Sequence, residues 1–339
     1  MSEGEKKERI LVVGPAWVGD MVMAQSLFIT LKQRFPNSEI DVLAPSWSRP
    51  LLARMPEVHA AVMLPVEHGE FGWGVRKRLG RALNRRYTRA VVLPRSWKSA
   101  LVPAFAGIPV RTGYRGEFRW GLINDMRTLD KKALPQTVQR YTALGLEKDA
   151  PLPPVVHHPY LRVDKANQAM LLDINRLDLK RPVVALLPGA EYGPAKRWPV
   201  DRYAELAKRL MAAGKQVWVF GSAKEHELGN AIAKHAGEGV TNLCGSTKLV
   251  DAVDLLALAE CAVSNDSGLM HMAAAVGVKL VAIYGSSSPA YTPPLTDKAE
   301  VVYLGIECSP CFERTCPLKH MNCLNQIPVD DIYRRVAAA

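Results

Sequence analysis

Short apolar runs alternate with helical patterns along the first half of the chain. Runs rich in valine, isoleucine, leucine and alanine at residues 10–14, 40–44, 60–64 and 90–93 predict buried strands. Helical periodicity predicts helices over residues 21–35 and 75–86, and Pro36 follows the first of them. Apolar strands separated by helices are typical of a parallel sheet that is covered on both faces.

The same alternation begins again after a break. Residues 151–159 are rich in proline and lack periodicity, which indicates the approach to a domain boundary. Beyond this segment the pattern predicts strands at 183–187, 216–220, 262–265 and 280–284, and helices at 201–213, 224–236, 249–259 and 269–276. We therefore predict an α/β protein with two doubly wound, Rossmann-like domains, residues 1–163 and 164–327.

A final helix is predicted at residues 330–338, after an irregular segment rich in cysteine. We expect this C-terminal part, residues 328–339, to pack back on the N-terminal domain. Open parallel sheets bind ligands outside the carboxyl ends of their strands. Two such sheets that face each other leave a cleft, so we expect the chemistry in the loops that follow the strands.

Composition places the chain among ordinary globular proteins. Hydrophobic residues make up 48% and charged residues 23% of the 339 positions, which excludes a mainly disordered or coiled-coil chain. The N-terminus carries charges of both signs, and the chain has no apolar run of about 18 residues. We therefore expect neither a signal peptide nor a transmembrane helix, and predict a cytoplasmic protein.

The charge is uneven along the chain. The formal net charge is +11, and residues 1–163 hold 25 basic and 14 acidic side chains, whereas the rest holds 19 of each. The whole excess therefore lies in the first domain. An anionic partner is expected to meet that domain first.

The loop after the first predicted strand carries a carboxylate. Gly14 and Gly19 have the spacing of a phosphate-binding P-loop, but Asp20 stands where such a loop has lysine. A carboxylate at that position repels phosphate, which excludes an ATPase of this type. Asp20 is then either a helix cap or a general base.

Three loops of the second half suit a nucleotide. Lys196 and Arg197 follow the strand at 183–187, and Glu225 or Glu227, after the next strand, has the place of a ribose-binding acid. Asp266, Ser267, Gly268 and His271 follow the strand at 262–265 and open a helix, whose free N–H groups attract an anion. Each of these residues also has an ordinary structural interpretation, as a basic residue exposed to water, an acidic residue in the first turn of a helix, or a helix cap. Together they favour a nucleotide diphosphate.

These loops resemble a known family. The segments VVGPAWVGDMVMAQSL, LLPGAEYGPAKRWP, GSAKEHE and SNDSGLMHMAAAVG are similar to those of the bacterial lipopolysaccharide heptosyltransferases, glycosyltransferase family 9. The segment ECSPCFERTCPLKHMNCL resembles the type II members. The resemblance covers residues 10–327, nearly the whole chain.

The resemblance implies a GT-B fold and an inverting transferase that needs no metal or other cofactor. The implied donor is ADP-L-glycero-β-D-manno-heptose, and the implied acceptor is the first heptose of the Kdo–lipid A inner core. By position, Asp20 matches the catalytic base, Lys196 a phosphate-binding lysine and Glu225 a ribose-binding acid. The donor-binding loop is matched by Asp266, Ser267, Gly268, Leu269 and His271.

The basic excess then has an expected partner. Residues 71–116 contain eleven basic and no acidic side chains. Arg95 and Lys98 follow the strand at 90–93, and Arg115 and Arg119 are expected to join them against Kdo carboxylates and lipid A phosphates. The helix at 75–86 suits the anionic inner leaflet. We expect a monomer held peripherally at the cytoplasmic face of the inner membrane.

Four cysteines lie close together in sequence, with the pattern Cys308-x₂-Cys311-x₄-Cys316-x₆-Cys323. This spacing permits a zinc site, with His320 as an alternative ligand, although the wider gaps are not those of a zinc finger. The other interpretation, which we adopt, is a group of reduced cysteines without metal.

Two other interpretations belong to different classes. A pI near 9.4 suits a nucleic-acid-binding protein, but the chain has no recognition motif of such proteins. A type I heptosyltransferase, or another sugar-nucleotide enzyme such as a 2-epimerase, is the nearer alternative. We expect no nucleic acid partner.

Overall fold

The computed structural model describes residues 8–66 and 70–338. It divides into two units, Met1–Pro159 and Tyr160–Ala339, so the boundary lies four residues before the predicted one. Residues 1–7, on which the prediction about the N-terminus partly depends, lie outside the described residues. No helix in the described ranges is long and apolar enough to cross a membrane.

The first unit is built on one parallel sheet of six strands. In chain order these are β1 (Arg9–Val13), β2 (Glu39–Ala44), β3 (Val58–Met63), β4 (Arg89–Val92), β5 (Val110–Tyr114) and β6 (Asp125–Arg127). Their order in the sheet is β3-β2-β1-β4-β5-β6, which is the doubly wound Rossmann order. The order reverses between β1 and β4, and ligands bind at such a point.

Five helices accompany this sheet: α1 (Val18–Arg34), α2 (Arg49–Leu52), α3 (Trp73–Ala82), α4 (Leu101–Phe105) and α5 (Thr137–Ala143). Helix α1 forms because its 17 residues contain no proline or interior helix breaker, and eleven of them are buried. The positive charges of Lys32 and Arg34 in its last turn stabilise the helix, because they lie at the negative end of its dipole. It packs against α5.

The second unit repeats the architecture. Its strands are β7 (Val183–Leu187), β8 (Gln216–Val219), β9 (Val240–Asn242), β10 (Cys261–Asn265), β11 (Lys279–Tyr284) and β12 (Ala299–Tyr303). All pairs are parallel, in the order β12-β11-β10-β7-β8-β9. Strands β7 and β10 are buried along their whole length, as the apolar runs predict.

The helices of the second unit are α6 (Lys165–Ile174), α7 (Val200–Ala212), α8 (His226–Ala236), α9 (Leu249–Leu256), α10 (Gly268–Ala275), α11 (Asn322–Asn325) and α12 (Val329–Ala337). The C-terminal helix α12 packs within the second unit. Its apolar side chains Val329, Ile332 and Val336 are buried in the core of the second unit, against α7 and β11. The amphipathic pattern predicts this helix but not the surface that covers it.

Candidate functional site

Three strand ends of the second unit form the best-defined anion site. Strand β10 lies between β7 and β11, so the loops after these strands are neighbours. Helix α10 begins two residues after β10. Ser267 is its N-cap, and the Ser267 hydroxyl accepts a hydrogen bond of 3.4 Å from the Met270 N–H. The remaining first-turn N–H groups have no intrahelical acceptor and attract an anion.

Lys196 reaches this helix start. It ends a short 3₁₀ turn, Pro194–Lys196, after β7, and its Nζ lies 2.5 Å from Asp266 Oδ2. The side chains are only 17% and 5% exposed, so water screens the pair weakly. The structure thus brings together two residues that are 70 positions apart in sequence, as the loop argument predicts.

The Lys196 ammonium also lies 5.1 Å from the centre of the Tyr192 ring, and the Arg314 guanidinium lies 5.2 Å from the same ring. Two cations therefore flank one aromatic side chain beside the anion site. Neither Tyr192 nor Arg314 was predicted from the sequence. The position of Tyr192, an aromatic residue four positions before Lys196, could have indicated its place in the site. Nothing in the local sequence pattern indicated Arg314.

His271 lies in the first turn of α10 and is 4% exposed. Its Nδ1 atom is buried and has no hydrogen-bond partner among the described residues. The pKa of His271 is lowered to about 4, chiefly by burial; the negative charge of Asp266 raises it and the positive charge of Lys196 lowers it, and the value is the net result. His271 is therefore neutral near pH 7, and its ring can exchange a hydrogen bond with a ligand.

This burial predicts a pH effect on stability. The unfolded chain takes up a proton at His271 below its ordinary pKa of about 6.5, whereas the folded chain does so only near pH 4. We expect the free energy of unfolding to decrease as the pH falls from 6.5 towards 4. Denaturant titrations should show a smaller decrease in His271→Gln, and an identical pH profile in both proteins would contradict the assignment.

Asn265 holds the site together. Its side-chain N–H donates to the Pro188 carbonyl at 2.7 Å, and its Oδ1 accepts from the Trp198 N–H and the Tyr203 hydroxyl at 3.0 and 3.1 Å. The end of β10 is thereby joined to the loop after β7 and to α7. Asn265 directly precedes Asp266 in the sequence, and this position could have indicated its role, but Asn265 was not predicted as a site residue.

Glu225 differs from its neighbour Glu227. The Glu225 carboxylate is buried and accepts hydrogen bonds from the Ser222 N–H and hydroxyl at 2.7 and 2.6 Å. A Cβ atom on Gly189, after β7, would lie only 2.4 Å from Glu225 Oε1, so glycine is required for this close approach. Glu227 is exposed on α8. The geometry therefore favours Glu225 as the acid at the strand ends.

Two further hydroxyls lie at the end of β11. Ser286 and Ser287 are 1% and 3% exposed, and their hydroxyl oxygens have no hydrogen-bond partner in the described part of the chain. Buried hydroxyls are normally paired, so both are candidates for ligand contacts. The run Gly-Ser-Ser-Ser directly after an apolar strand could have indicated these two residues, but they were not predicted from the sequence.

The cysteine-rich segment contacts two of these loops. The Tyr192 hydroxyl donates to the Phe312 carbonyl at 2.6 Å, the Phe312 N–H to the Ser286 carbonyl at 2.7 Å, and the Ala195 N–H to the Arg314 carbonyl at 3.1 Å. The segment therefore holds the loop of Lys196 and the loop of Ser286 in place.

The four cysteines of this segment form no disulfide bond with one another. One small cavity, with Ser286 and His320 also in its wall, is lined by Cys308, Cys311, Cys316 and Cys323. Across residues 8–66 and 70–338, no three His, Cys, Asp or Glu side chains are placed to hold a metal ion.

In the first unit, Asp20 is the third residue of α1 and is half-buried. The N-cap is Trp17, whose side chain makes no capping bond, so Asp20 is not the cap. The Gly14 N–H donates to the Leu43 carbonyl at 2.9 Å, which extends the pairing of β1 with β2 up to the loop before α1. A carboxylate in the first turn is stabilised by the helix dipole and stands at the carboxyl end of β1.

Three of the predicted acceptor residues lie along the same sheet edge. Arg95 and Lys98 follow β4, and Arg115 follows the neighbouring β5. Arg95 and Arg115 are exposed, and the Arg95 guanidinium donates to the Arg115 carbonyl at 3.3 Å. Lys98 is half-buried, and its ammonium lies 3.5 Å from the Glu70 carbonyl. These cations are available to an anionic ligand.

The assignment of Arg119 to the acceptor site is wrong. Arg119 is 0% exposed, and its guanidinium donates to the carbonyls of Tyr114 and Pro94. It is a structural residue that ties the loop after β5 to the loop after β4. Arg119 and Arg115 lie four residues apart after β5, so the sequence alone does not distinguish their roles. The side chain of Arg119 is buried, whereas that of Arg115 is exposed.

This correction predicts opposite results for two neighbouring arginines. Arg119→Ala leaves buried carbonyls unpaired and should lower the free energy of unfolding by about 3 kcal/mol. Arg115→Ala should leave stability unchanged, because its side chain is exposed, and raise the KM of an anionic acceptor. Denaturant titration and kinetics of both variants test this. Wild-type stability of Arg119→Ala would contradict the structural role.

A sequence comparison identifies the family. The family model Glycosyltransferase family 9 (heptosyltransferase) matches residues 76–322, which is more than half of the chain. The chain belongs to glycosyltransferase family 9. The resemblance stated from the four loops is thereby confirmed, and the enzyme is favoured over a nucleic-acid-binding protein.

Relatives of this family 9 glycosyltransferase agree with its fold. Lipopolysaccharide heptosyltransferase 2 of Salmonella typhimurium is 52% identical over 306 residues, which cover 87% of this chain and 88% of the relative. The protein of the same name from Escherichia coli matches equally well. A solved structure, E. coli ADP-heptose LPS heptosyltransferase II, covers 97% of this chain and 98% of its own, with 46% identity and a TM-score of 0.86. The two doubly wound units confirm the predicted GT-B fold class.

Proposed function

We propose that this glycosyltransferase moves L-glycero-D-manno-heptose from ADP-heptose onto the first heptose of the Kdo–lipid A inner core. The relatives named above carry the heptosyltransferase 2 name, which motivates this donor and acceptor. The observation that carries the proposal is the largely buried Lys196 beside the start of α10. This arrangement suits the diphosphate of a nucleotide sugar.

The second unit binds the donor. The first-turn N–H groups at Gly268 and Leu269 and the Lys196 ammonium face the diphosphate, and Asp266 orients that ammonium. Negative charge grows on the diphosphate as the bond to the sugar breaks, so fixed donors at this place stabilise the transition state more than the ground state. His271 adds a neutral hydrogen-bonding ring, and Glu225 accepts from the ribose hydroxyls.

The first unit activates the acceptor. Asp20 accepts the proton of the acceptor hydroxyl as its oxygen attacks the anomeric carbon of the heptose. The new glycosidic bond forms while the bond from that carbon to the diphosphate oxygen breaks, and ADP leaves with the electron pair. Attack from the opposite face converts the β-linked donor into an α-linked product. No step requires a metal ion.

The acceptor is an anionic lipid, which accounts for the charge of the first unit. Arg95, Lys98 and Arg115 bind its carboxylates and phosphates by charge-assisted hydrogen bonds. We infer that the protein works as a monomer at the cytoplasmic face of the inner membrane. Raising the salt concentration should therefore increase the KM of the lipid acceptor more than that of ADP-heptose.

A donor comparison tests the proposed reaction. With Kdo–lipid A that carries one heptose, we expect transfer from ADP-heptose and none from UDP-glucose. Addition of EDTA should leave the rate unchanged, because the charge on the leaving group is met by protein groups alone. Dependence of the rate on a divalent cation, or efficient use of the uridine nucleotide, would contradict the proposal.

A further inference from the structure

The loop at residues 116–121, between β5 and β6, exposes two aromatic side chains. Phe118 is 83% exposed and Trp120 is 58% exposed, whereas Arg119 between them is fully buried. We call these residues the aromatic loop. Such large apolar side chains are unfavourable in water unless another surface covers them.

The aromatic loop is held firmly. The buried Arg119 guanidinium holds the loop by donating hydrogen bonds to the carbonyls of Tyr114 and Pro94. Glu117 accepts a hydrogen bond of 2.7 Å from the Trp97 N–H, and a Cβ atom on Gly116 would lie 2.3 Å from the Arg95 carbonyl oxygen. The loop is therefore fastened on both sides of Phe118, and its two aromatic side chains are directed outwards by these bonds.

The aromatic surface continues beyond the loop. Trp97, which bonds to Glu117, stacks on Phe71 and Trp73 with ring centres 5.6 and 5.9 Å apart. Phe71 and Trp73 are themselves 44% and 43% exposed. The first unit thus carries five aromatic side chains in two groups, which are linked by the hydrogen bond from the Trp97 N–H to the Glu117 carboxylate.

Cations border this surface. The Arg115 guanidinium lies 5.9 Å from the centre of the Trp120 ring, and Arg95 bonds to the Arg115 backbone. The one carboxylate of the loop, Glu117, is engaged with the Trp97 N–H. Residues 71–116 contain eleven basic and no acidic side chains, of which Arg95 and Arg115 lie beside the aromatic loop. Net positive charge therefore accompanies the exposed rings.

Aromatic side chains next to arginine suit the interface between lipid headgroups and acyl chains. Tryptophan and phenylalanine rings are stabilised at that depth, and each cation near an anionic leaflet contributes about 1 kcal/mol. We propose that the aromatic loop docks the first unit on an anionic bilayer, with Phe118 and Trp120 entering the headgroup region and Arg95 and Arg115 on lipid phosphates. The proposed function is used only in that its acceptor is a membrane lipid.

Vesicle co-sedimentation without donor or acceptor tests the docking alone. We expect the wild-type protein to bind vesicles of phosphatidylglycerol and phosphatidylethanolamine more tightly than vesicles of phosphatidylcholine. Phe118→Ser/Trp120→Ser should reduce binding to the anionic vesicles by about tenfold or more, as expected when two aromatic side chains lose a buried site. The control Val155→Ser/Ile174→Ser changes two side chains that are 75% and 67% exposed elsewhere, and should bind like wild type.

Kinetics of the same variants separate docking from chemistry. Phe118→Ser/Trp120→Ser should retain wild-type kcat and KM with a water-soluble, deacylated acceptor, and show a raised KM with the acceptor embedded in vesicles. Vesicle binding without heptosyl transfer would reject the proposed function and leave the docking intact. Equal vesicle binding by wild type and double variant, no binding by wild type, or a change of oligomeric state in the double variant would overturn the docking proposal.

Discussion

Asp20→Ala should abolish heptosyl transfer and leave the affinity for ADP at the wild-type value. The carboxylate is proposed to take the proton of the attacking hydroxyl, and a positioned base contributes about 10²–10⁴-fold to the rate. Asp20 lies at the end of β1 in the first unit, whereas the residues proposed to bind ADP all belong to the second. Loss of the carboxylate therefore removes chemistry and spares donor binding.

Asp20→Asn is the matched control, because it keeps the shape of the side chain and loses only the basic oxygen. We expect kcat to fall as far in this variant as in Asp20→Ala, with ADP dissociation constants measured by calorimetry unchanged in both. Loss of the favourable interaction with the dipole of α1 should cost about 0.3–1 kcal/mol of stability. A parallel loss of ADP binding and transfer would reject Asp20 as the base.

Lys196→Ala should weaken ADP by roughly 10- to 100-fold and leave adenosine binding unchanged. A charge-assisted hydrogen bond to phosphate is worth about 1.5–3 kcal/mol, which corresponds to this range. The variant also leaves the Asp266 carboxylate buried without its partner at 2.5 Å, next to the phosphate site. Repulsion between that carboxylate and the diphosphate adds to the loss.

Two further variants separate these contributions. Lys196→Ala/Asp266→Asn removes the uncompensated charge and should recover part of the ADP affinity. Lys234→Ala is the control cation, since its side chain is exposed in the last turn of α8, and it should bind ADP normally. If adenosine and ADP weaken alike in Lys196→Ala, the ammonium does not contact the phosphates.

Burial explains which elements could be predicted from the sequence. Strands β1, β7 and β11 are almost entirely apolar, because parallel strands in the middle of a covered sheet face protein on both sides. Strands β5, β6, β9 and β12 were not predicted. The edge strands β6 and β9 have three residues each and include Asp125, Arg127 and Asn242. In β5 and β12 the polar residues Arg111, Thr112 and Glu300 interrupt the apolar ones, so hydrophobicity alone does not mark these strands.

The candidate site divides in the same way. Asp20, Lys196 and Asp266 could be placed because each charged residue directly follows a predicted strand, and parallel strands bring their carboxyl ends to one edge. Arg119 could not be distinguished from Arg115, because the carbonyls that bury it are fixed by tertiary structure. Ser286 and Ser287 carry no charge. They can be recognised as candidates only because their buried hydroxyls have no hydrogen-bond partner among the described residues.

The identity of the acceptor tests the central claim most directly. Purified protein is incubated with ADP-heptose and Kdo–lipid A acceptors that carry zero, one or two heptoses, and each product is identified by mass spectrometry and NMR. We predict transfer of one α-linked heptose to the acceptor with one heptose, and none to the other two. Transfer to the acceptor without heptose, or no transfer to any of them, would contradict the account.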